Sequence, residues 1–117
     1  MDFRITFYSD EDDEPFQEFV RQLQDSHPEV LQLVVSGLER LRDRRRHGPP
    51  LTELVDPAHD IFELRVGRAN IARVFFFFEP DWNIIVTHGS VKKRQKLDVS
   101  ELNRARRYKR IWEERRR

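Results

Sequence analysis

The chain has 117 residues, 38% hydrophobic and 37% charged, with no cysteine. That length bounds it to one domain, 1–117, with a modest core, and the lack of cysteine excludes a disulfide framework and thiolate chemistry. Nine phenylalanines and two tryptophans argue against disorder, and no apolar run approaches the ~18 residues of a membrane span.

The net charge of +1 hides a polarised chain. Residues 1–30 carry nine acids and two bases, 31–83 eight of each, and 84–117 four acids and twelve bases. A molecule acidic at one end and basic at the other has a directed field, and its basic end suits a polyanion. Met1, Asp2, Phe3 and Arg4 lack the basic and then apolar pattern of a signal peptide, so a cytoplasmic location is the expectation.

Residues 3–8 alternate apolar and polar and predict a strand. The acidic run 10–14 offers N-caps and first-turn acids to a helix that tolerates Pro15 early; capping explains this run better than a metal site, because it lacks an EF-hand loop pattern. Phe16, Phe19, Val20 and Leu23 follow at helical spacing. Ser26, His27 and Pro28 break that helix and start another, whose buried stripe is predicted to be Leu31, Val34, Val35, Leu38 and Leu41. Gly48, Pro49 and Pro50 stop it. So short a link predicts an antiparallel helical hairpin.

After a loop at 48–60 the period changes to two. Residues 61–66, 71–78 and 84–91 predict three strands joined by turns at 67–70 and 79–83, that is, a meander. Asp98, with Glu101 three residues on, has the form of a capping box, and Leu102, Ala105, Tyr108 and Trp112 mark a final helix. The predicted order is β-α-α-β-β-β-α, an α+β fold: an antiparallel sheet meander with an N-terminal helical hairpin and a C-terminal helix.

A turn centred on Ala69 sets Phe62, Leu64 and Val66 against Phe76, Val74 and Ala72 on one apolar face. The other face then carries Ile61, Glu63 and Arg65 against Phe77, Phe75 and Arg73. Arg65 and Arg73 lie side by side in that register. Like charges directly opposite destabilise a strand pair, and such a breach of a local rule often marks a functional site. Two forked guanidinium groups on a rigid sheet suit phosphate; a salt bridge to Glu63 or to the acidic N-terminal helix is the structural alternative. Past the last strand, Lys92, Lys93, Arg94 and Lys96 put four cations within five residues. A strand interior excludes such a cluster, so it belongs at a sheet edge or mouth.

Other candidates read as structural. With the second turn centred on Asp81, His88 falls on the apolar face with Ile84 and Val86, where a satisfied core or edge histidine is the better reading. His27, His47 and His59 lie in linkers with no metal spacing. Phe75 to Phe78 read as a central strand buried on both faces, with base stacking by one of them as the alternative. The arginines of 42–46 favourably meet the dipole at a helix C-terminus.

Three segments also carry a resemblance. Phe62-Glu63-Leu64-Arg65, then Ala72-Arg73-Val74-Phe75-Phe76-Phe77, then His88-Gly89-Ser90-Val91-Lys92-Lys93-Arg94-Gln95-Lys96 resemble the phage-derived HigB branch of the RelE/ParE toxin superfamily, in the order found there. The resemblance implies a RelE-like fold and the toxin of a type II toxin–antitoxin system: an endoribonuclease that enters the ribosome and cuts mRNA without a metal or cofactor. Its implied partners are a helix-turn-helix antitoxin of the HigA type, the ribosome and mRNA, and no membrane. It implies Arg73 as the phosphate-contacting strand arginine, Lys93 and Lys96 as candidate proton carriers, and Arg65, Lys92, Arg94 and Gln95 as RNA-binding residues. A lysine crowded by cations holds its proton less tightly, which suits that role. Where RelE has a tyrosine after its basic segment, this chain reads Lys96, Leu97, Asp98, Val99 and Ser100, and Tyr108 reads as packed in the last helix. A gyrase-directed toxin of the ParE type and a non-catalytic nucleic-acid-binding module of phage origin are the alternatives; the concentrated cations favour the RNase.

Overall fold

The computed structural model describes residues 1–92 and 97–116. Five strands and three α-helices follow in the order β1 (Arg4–Phe7), α1 (Pro15–Ser26), α2 (Pro28–Leu41), β2 (Thr52–Asp56), β3 (Ile61–Gly67), β4 (Ile71–Glu79), β5 (Asn83–Lys92) and α3 (Val99–Arg115), with a 3₁₀ turn at Arg44–Arg46. The sheet order is β1-β5-β4-β3-β2. β2 to β5 form an antiparallel meander, and β1 adds parallel to β5. The α+β class holds, with the helical hairpin on one face of the sheet and α3 on the other.

β2 is an addition to the predicted elements, inside the stretch read as a loop. It is five residues long, lies just after Pro49 and Pro50, ends before Pro57, and pairs only along β3 with a bulge between Leu54 and Asp56. So short an edge strand carries too few alternations to stand out from turn residues.

Phe16, Phe19 and Leu23 of α1 and Val30, Val34, Gly37 and Leu41 of α2 are buried against Leu64, Val66, Ala72, Val74, Phe76, Ile84 and Val86 of the sheet. The α2 stripe is rotated from the predicted one: Val30 is inside and Val35 is exposed. Gly37 accounts for this. A Cβ there would stand 3.0 Å from Val66 Cγ1, so its absence lets α2 lie close on β3 with that side facing in. His27 is both the last cap of α1 and the first of α2, and Pro28, lacking an N–H, cannot continue α1.

The acidic run supplies the N-cap residue of α1, Glu14, but no capping bond from a side chain. Asp10 instead accepts from the Tyr8 hydroxyl at 2.5 Å and from the Asp12 N–H at 2.9 Å, and Asp13 accepts from the Tyr108 hydroxyl at 2.6 Å. Two buried tyrosines needed acceptors, and the acids nearest in space supply them. Tyr108 is packed, as predicted. On that side Tyr8, Phe77, Ile85 and Tyr108 form one apolar cluster and Ile61, Phe75, Leu102 and Ala105 another. Phe75, Phe76 and Phe77 are buried on alternating faces, each worth ~1.5–3 kcal/mol of hydrophobic stabilisation. Phe78 is half-exposed against Phe62, Phe3 and His47.

Candidate functional site

The β3–β4 register is the predicted one, with Phe62 opposite Phe76, Leu64 opposite Val74 and Arg65 opposite Arg73. Between them stands Glu63. Its Oε1 accepts from Arg73 Nη1 at 2.6 Å and from Arg65 at 2.7 Å through Nη2 and 3.0 Å through Nε. Arg65 also reaches Glu53 on β2 at 3.1 Å. The carboxylate of Glu63 thus resolves the like-charge contact across the strands. Arg73 is only 1% exposed, whereas the Arg65 side chain is 31% exposed.

β4 and β5 carry the decisive irregularity. Glu79 opposes Asn83, so the turn is centred on Asp81 as predicted, and the register runs to Phe76 opposite Val86. It resumes at Val74 opposite Gly89. Phe75 therefore faces both Thr87 and His88, a β-bulge that adds one residue to β5. The extra residue reverses the faces beyond it. His88 turns away from Ile84 and Val86 and lies on the α3 side, stacked on Phe75 at 5.0 Å and edge-on to Tyr108 at 5.7 Å. The predicted face of His88 is corrected accordingly; its burial is as read. Gly89 takes the hairpin side, where a Cβ would stand 2.6 Å from Phe19 Cδ2.

Past the bulge, Ser90 opposes Arg73 and Lys92 opposes Ile71. Glu63, Arg65, Arg73, His88, Ser90 and Lys92 thus share one face of three neighbouring strands, beside the start of α3. Lys92, 39% exposed, pairs with Asp98 at 3.0 Å. Asp98 is the N-cap of α3: it accepts from the Ser100 N–H at 2.9 Å and from the Ser100 hydroxyl at 2.6 Å. Those bonds, led by Ser100 and joined by Lys92, hold the Asp98 carboxyl well below the usual range. Half of the predicted capping box forms. Glu101 turns instead to His88, its Oε2 3.6 Å from Nε2, and to Arg104 at 3.6 Å.

Burial pushes the His88 imidazole below its ordinary value; Glu101 opposes the shift and Arg104 adds to it. His88 and Arg104 in turn hold Glu101 low against its partial burial. Among the described residues, Glu63 Oε2, His88 Nε2 and Ser90 Oγ are buried without a hydrogen-bond partner. Of the predicted site residues, Arg65, Arg73 and Lys92 come together on this face. Lys93, Arg94, Gln95 and Lys96 lie outside the described residues. Glu63 stands on the face as the register predicts and forms the salt bridge read as the structural alternative, whereas His88 and Glu101 join it unforeseen, because a bulge and a return contact from α3 leave no local pattern.

Among the described residues, no group of three His, Asp or Glu side chains is placed to hold a metal ion, and no helix is long and apolar enough to cross a membrane.

A mostly antiparallel sheet whose central strands bring two arginines, a glutamate, a histidine and a lysine to one face beside a terminal helix defines a small α+β protein with a charged patch on that face. The family model described as Phage derived protein Gp49-like (DUF891) matches residues 18–110, and the chain belongs to that family, which is of the RelE/HigB-like toxin type. The family points to an antitoxin partner. No curated protein matches the chain.

Proposed function

We propose that this protein is the toxin of a type II toxin–antitoxin system and acts in the cytoplasm as a ribosome-dependent mRNA endonuclease, held inactive by a helix-turn-helix antitoxin of the HigA type. The observation that carries this reading is the alignment of Arg65, Arg73 and Lys92 on one sheet face, where β5 runs into Lys93, Arg94, Gln95 and Lys96.

The chemistry follows from the substrate. The ribose 2′-oxygen attacks the adjacent phosphorus, the bond to the 5′-oxygen breaks, and a cyclic phosphate remains. The nucleophile is built into RNA, so the protein's task is to stabilise the extra negative charge and to move two protons. Arg65 and Lys92 are accessible to a phosphate. Their outer partners, Glu53 and Asp98, are at least one-third exposed, and such pairs are worth only about 0–1 kcal/mol, so a phosphate can displace them while the buried Glu63 keeps its bonds to Arg65. Arg73 lies beneath, 1% exposed and bound to Glu63, and its direct contact with a phosphate requires that it become exposed. Lys93 or Lys96 carries the proton, with its ammonium destabilised by neighbouring cations; Arg94 and Gln95 add contacts to the strand.

The experiment is induction of the chain without antitoxin, followed by labelled-methionine incorporation and plasmid supercoiling. An mRNA endonuclease stops incorporation and leaves supercoiling intact. Relaxed plasmids with continuing synthesis identify a gyrase-directed toxin, and unaffected growth identifies a binding module.

A further inference from the structure

α3 presents a second cationic feature on its outer side. An open groove of about 950 Å³ runs between α3 and residues 58–60 of the β2–β3 turn. Arg104, Arg106, Arg107, Lys109 and Arg110 line it, and it shares no lining residue with the face of Arg65, Arg73 and Lys92.

The groove wall is fastened. Asp56, 4% exposed, accepts through Oδ2 from Arg106 Nε at 2.6 Å and pairs with His59 Nδ1 at 2.9 Å. Arg106 also donates to Asn103 at 2.8 Å, and Lys109 donates to the His59 carbonyl. Burial raises the Asp56 carboxyl, but Arg106 and His59 outweigh it and hold the group ionised. The turn is thus tied to α3 before any ligand arrives.

Arg104 pairs with Glu101, and the two remaining lining cations are not consumed by that fastening. Arg107 lies over the Tyr108 ring at 5.2 Å and, among the described residues, has no carboxylate partner. Arg110 stands 4.0 Å from Glu114, with both side chains exposed, a contact of small worth.

We propose that this groove binds the phosphate backbone of an RNA strand, with Arg107 and Arg110 as the phosphate contacts and Arg106 positioning the wall. Five lining cations against the two carboxylates of Asp60 and Glu113 leave the groove positive, and that sign selects a polyanion. The lining selects nucleic acid over protein: its one apolar side chain is Ala58, whereas protein interfaces centre on buried aromatic and aliphatic anchors, and nucleic-acid interfaces are polar and cationic. The choice of RNA rests on the preceding reading and deepens it by adding a docking surface that adjoins the cutting face through α3.

The test is fluorescence anisotropy of a labelled 12-nucleotide single-stranded RNA with the full chain at rising salt. Arg107→Gln with Arg110→Gln should weaken binding tenfold or more. It should also make the slope of log affinity against log salt shallower by about 1.4, two phosphate contacts at ~0.7 each. Arg21→Gln with Arg44→Gln removes the same charge from exposed sites outside the groove and should change affinity less than twofold. Circular dichroism confirms that both variants are folded. Equal binding by the groove variant and the wild type, or an equal loss in the control pair, overturns the assignment. So does a polyglutamate peptide of equal charge binding as tightly, which identifies a protein partner. Binding is read without cleavage, so a chain that binds here but cuts no message separates failure of the RNase reading from failure of this one.

Discussion

Arg65 and Arg73 stand directly opposite each other across β3 and β4, and both guanidinium groups bond to the same oxygen of Glu63. One buried carboxylate therefore holds two cations that would otherwise repel. Glu63→Gln keeps the shape and removes the anion, leaving Arg73 buried with its ion pair broken. A loss of about 3–5 kcal/mol is expected, read as a fall in the urea midpoint. A loss below about 1 kcal/mol would show that the arginines do not depend on Glu63.

The bulge at Phe75 places His88 in the core on the α3 side, and its imidazole is pushed down by burial. The unfolded chain takes up a proton near pH 6.5, its usual value, while the folded chain resists. The unfolded state then binds more protons, so stability is complete above about pH 6.5 and is lost as pH falls from there towards the depressed folded value. The carboxylates held low, Asp56, Asp98 and Glu101, lose their contribution at lower pH, below about 4.5. Urea midpoints measured from pH 7 to pH 5 should fall for the wild type by up to about 1.4 kcal/mol per pH unit from this group, and less steeply for His88→Gln. Identical slopes would mean that His88 is protonated in the fold.

Gly89 faces α1, and Phe19 occupies the space that a Cβ would need. Gly89→Ala should destabilise by ~1–3 kcal/mol through overpacking. Phe19→Leu in the same chain should recover part of that loss, since the two changes share one contact. Strict additivity of the two costs would place the strain elsewhere.

On the proposed function, the helical hairpin is the expected docking surface for the antitoxin. Asp12, Glu18 and Phe7 are all exposed, and a basic partner would complement those acids. Asp13 belongs to the fold through Tyr108, so reversal there would damage packing. Asp12→Lys with Glu18→Lys should weaken antitoxin binding about tenfold while the free toxin stays active, read by calorimetry and by a translation assay. Unchanged affinity in that variant, with loss on Lys92→Glu, would put the antitoxin over the cationic face.

Long elements and the central hairpin were legible because their signals are local. Phe16, Phe19 and Leu23 repeat at helical spacing, and the chain between Val66 and Ile71 is too short to allow another register. What escaped depends on distant partners. The face of His88 turns on one extra residue opposite Phe75, and nothing in the neighbourhood of His88 announces it. Asp10 and Asp13 look like capping residues until two buried tyrosine hydroxyls claim them. The Glu63 bond to Arg73 was legible as an alternative, since the two residues are diagonal neighbours across the hairpin. The groove beside α3 was half-legible: the cations of the helix are plain in the sequence, but the wall formed by 58–60 is held by contacts of Arg106 with Asp56 and Lys109 with His59, each fifty residues apart.

The most direct measurement maps 5′ ends by primer extension on one message in a purified translation system, with wild-type protein and with folded Arg73→Ala. The account predicts cuts within the translated region, none when ribosomes are omitted, and a rate at least about a hundredfold lower for Arg73→Ala, the size expected when ~2.7–4 kcal/mol of transition-state stabilisation is removed. Cuts that persist without ribosomes, no cuts at all, or an Arg73→Ala protein as active as the wild type would contradict it.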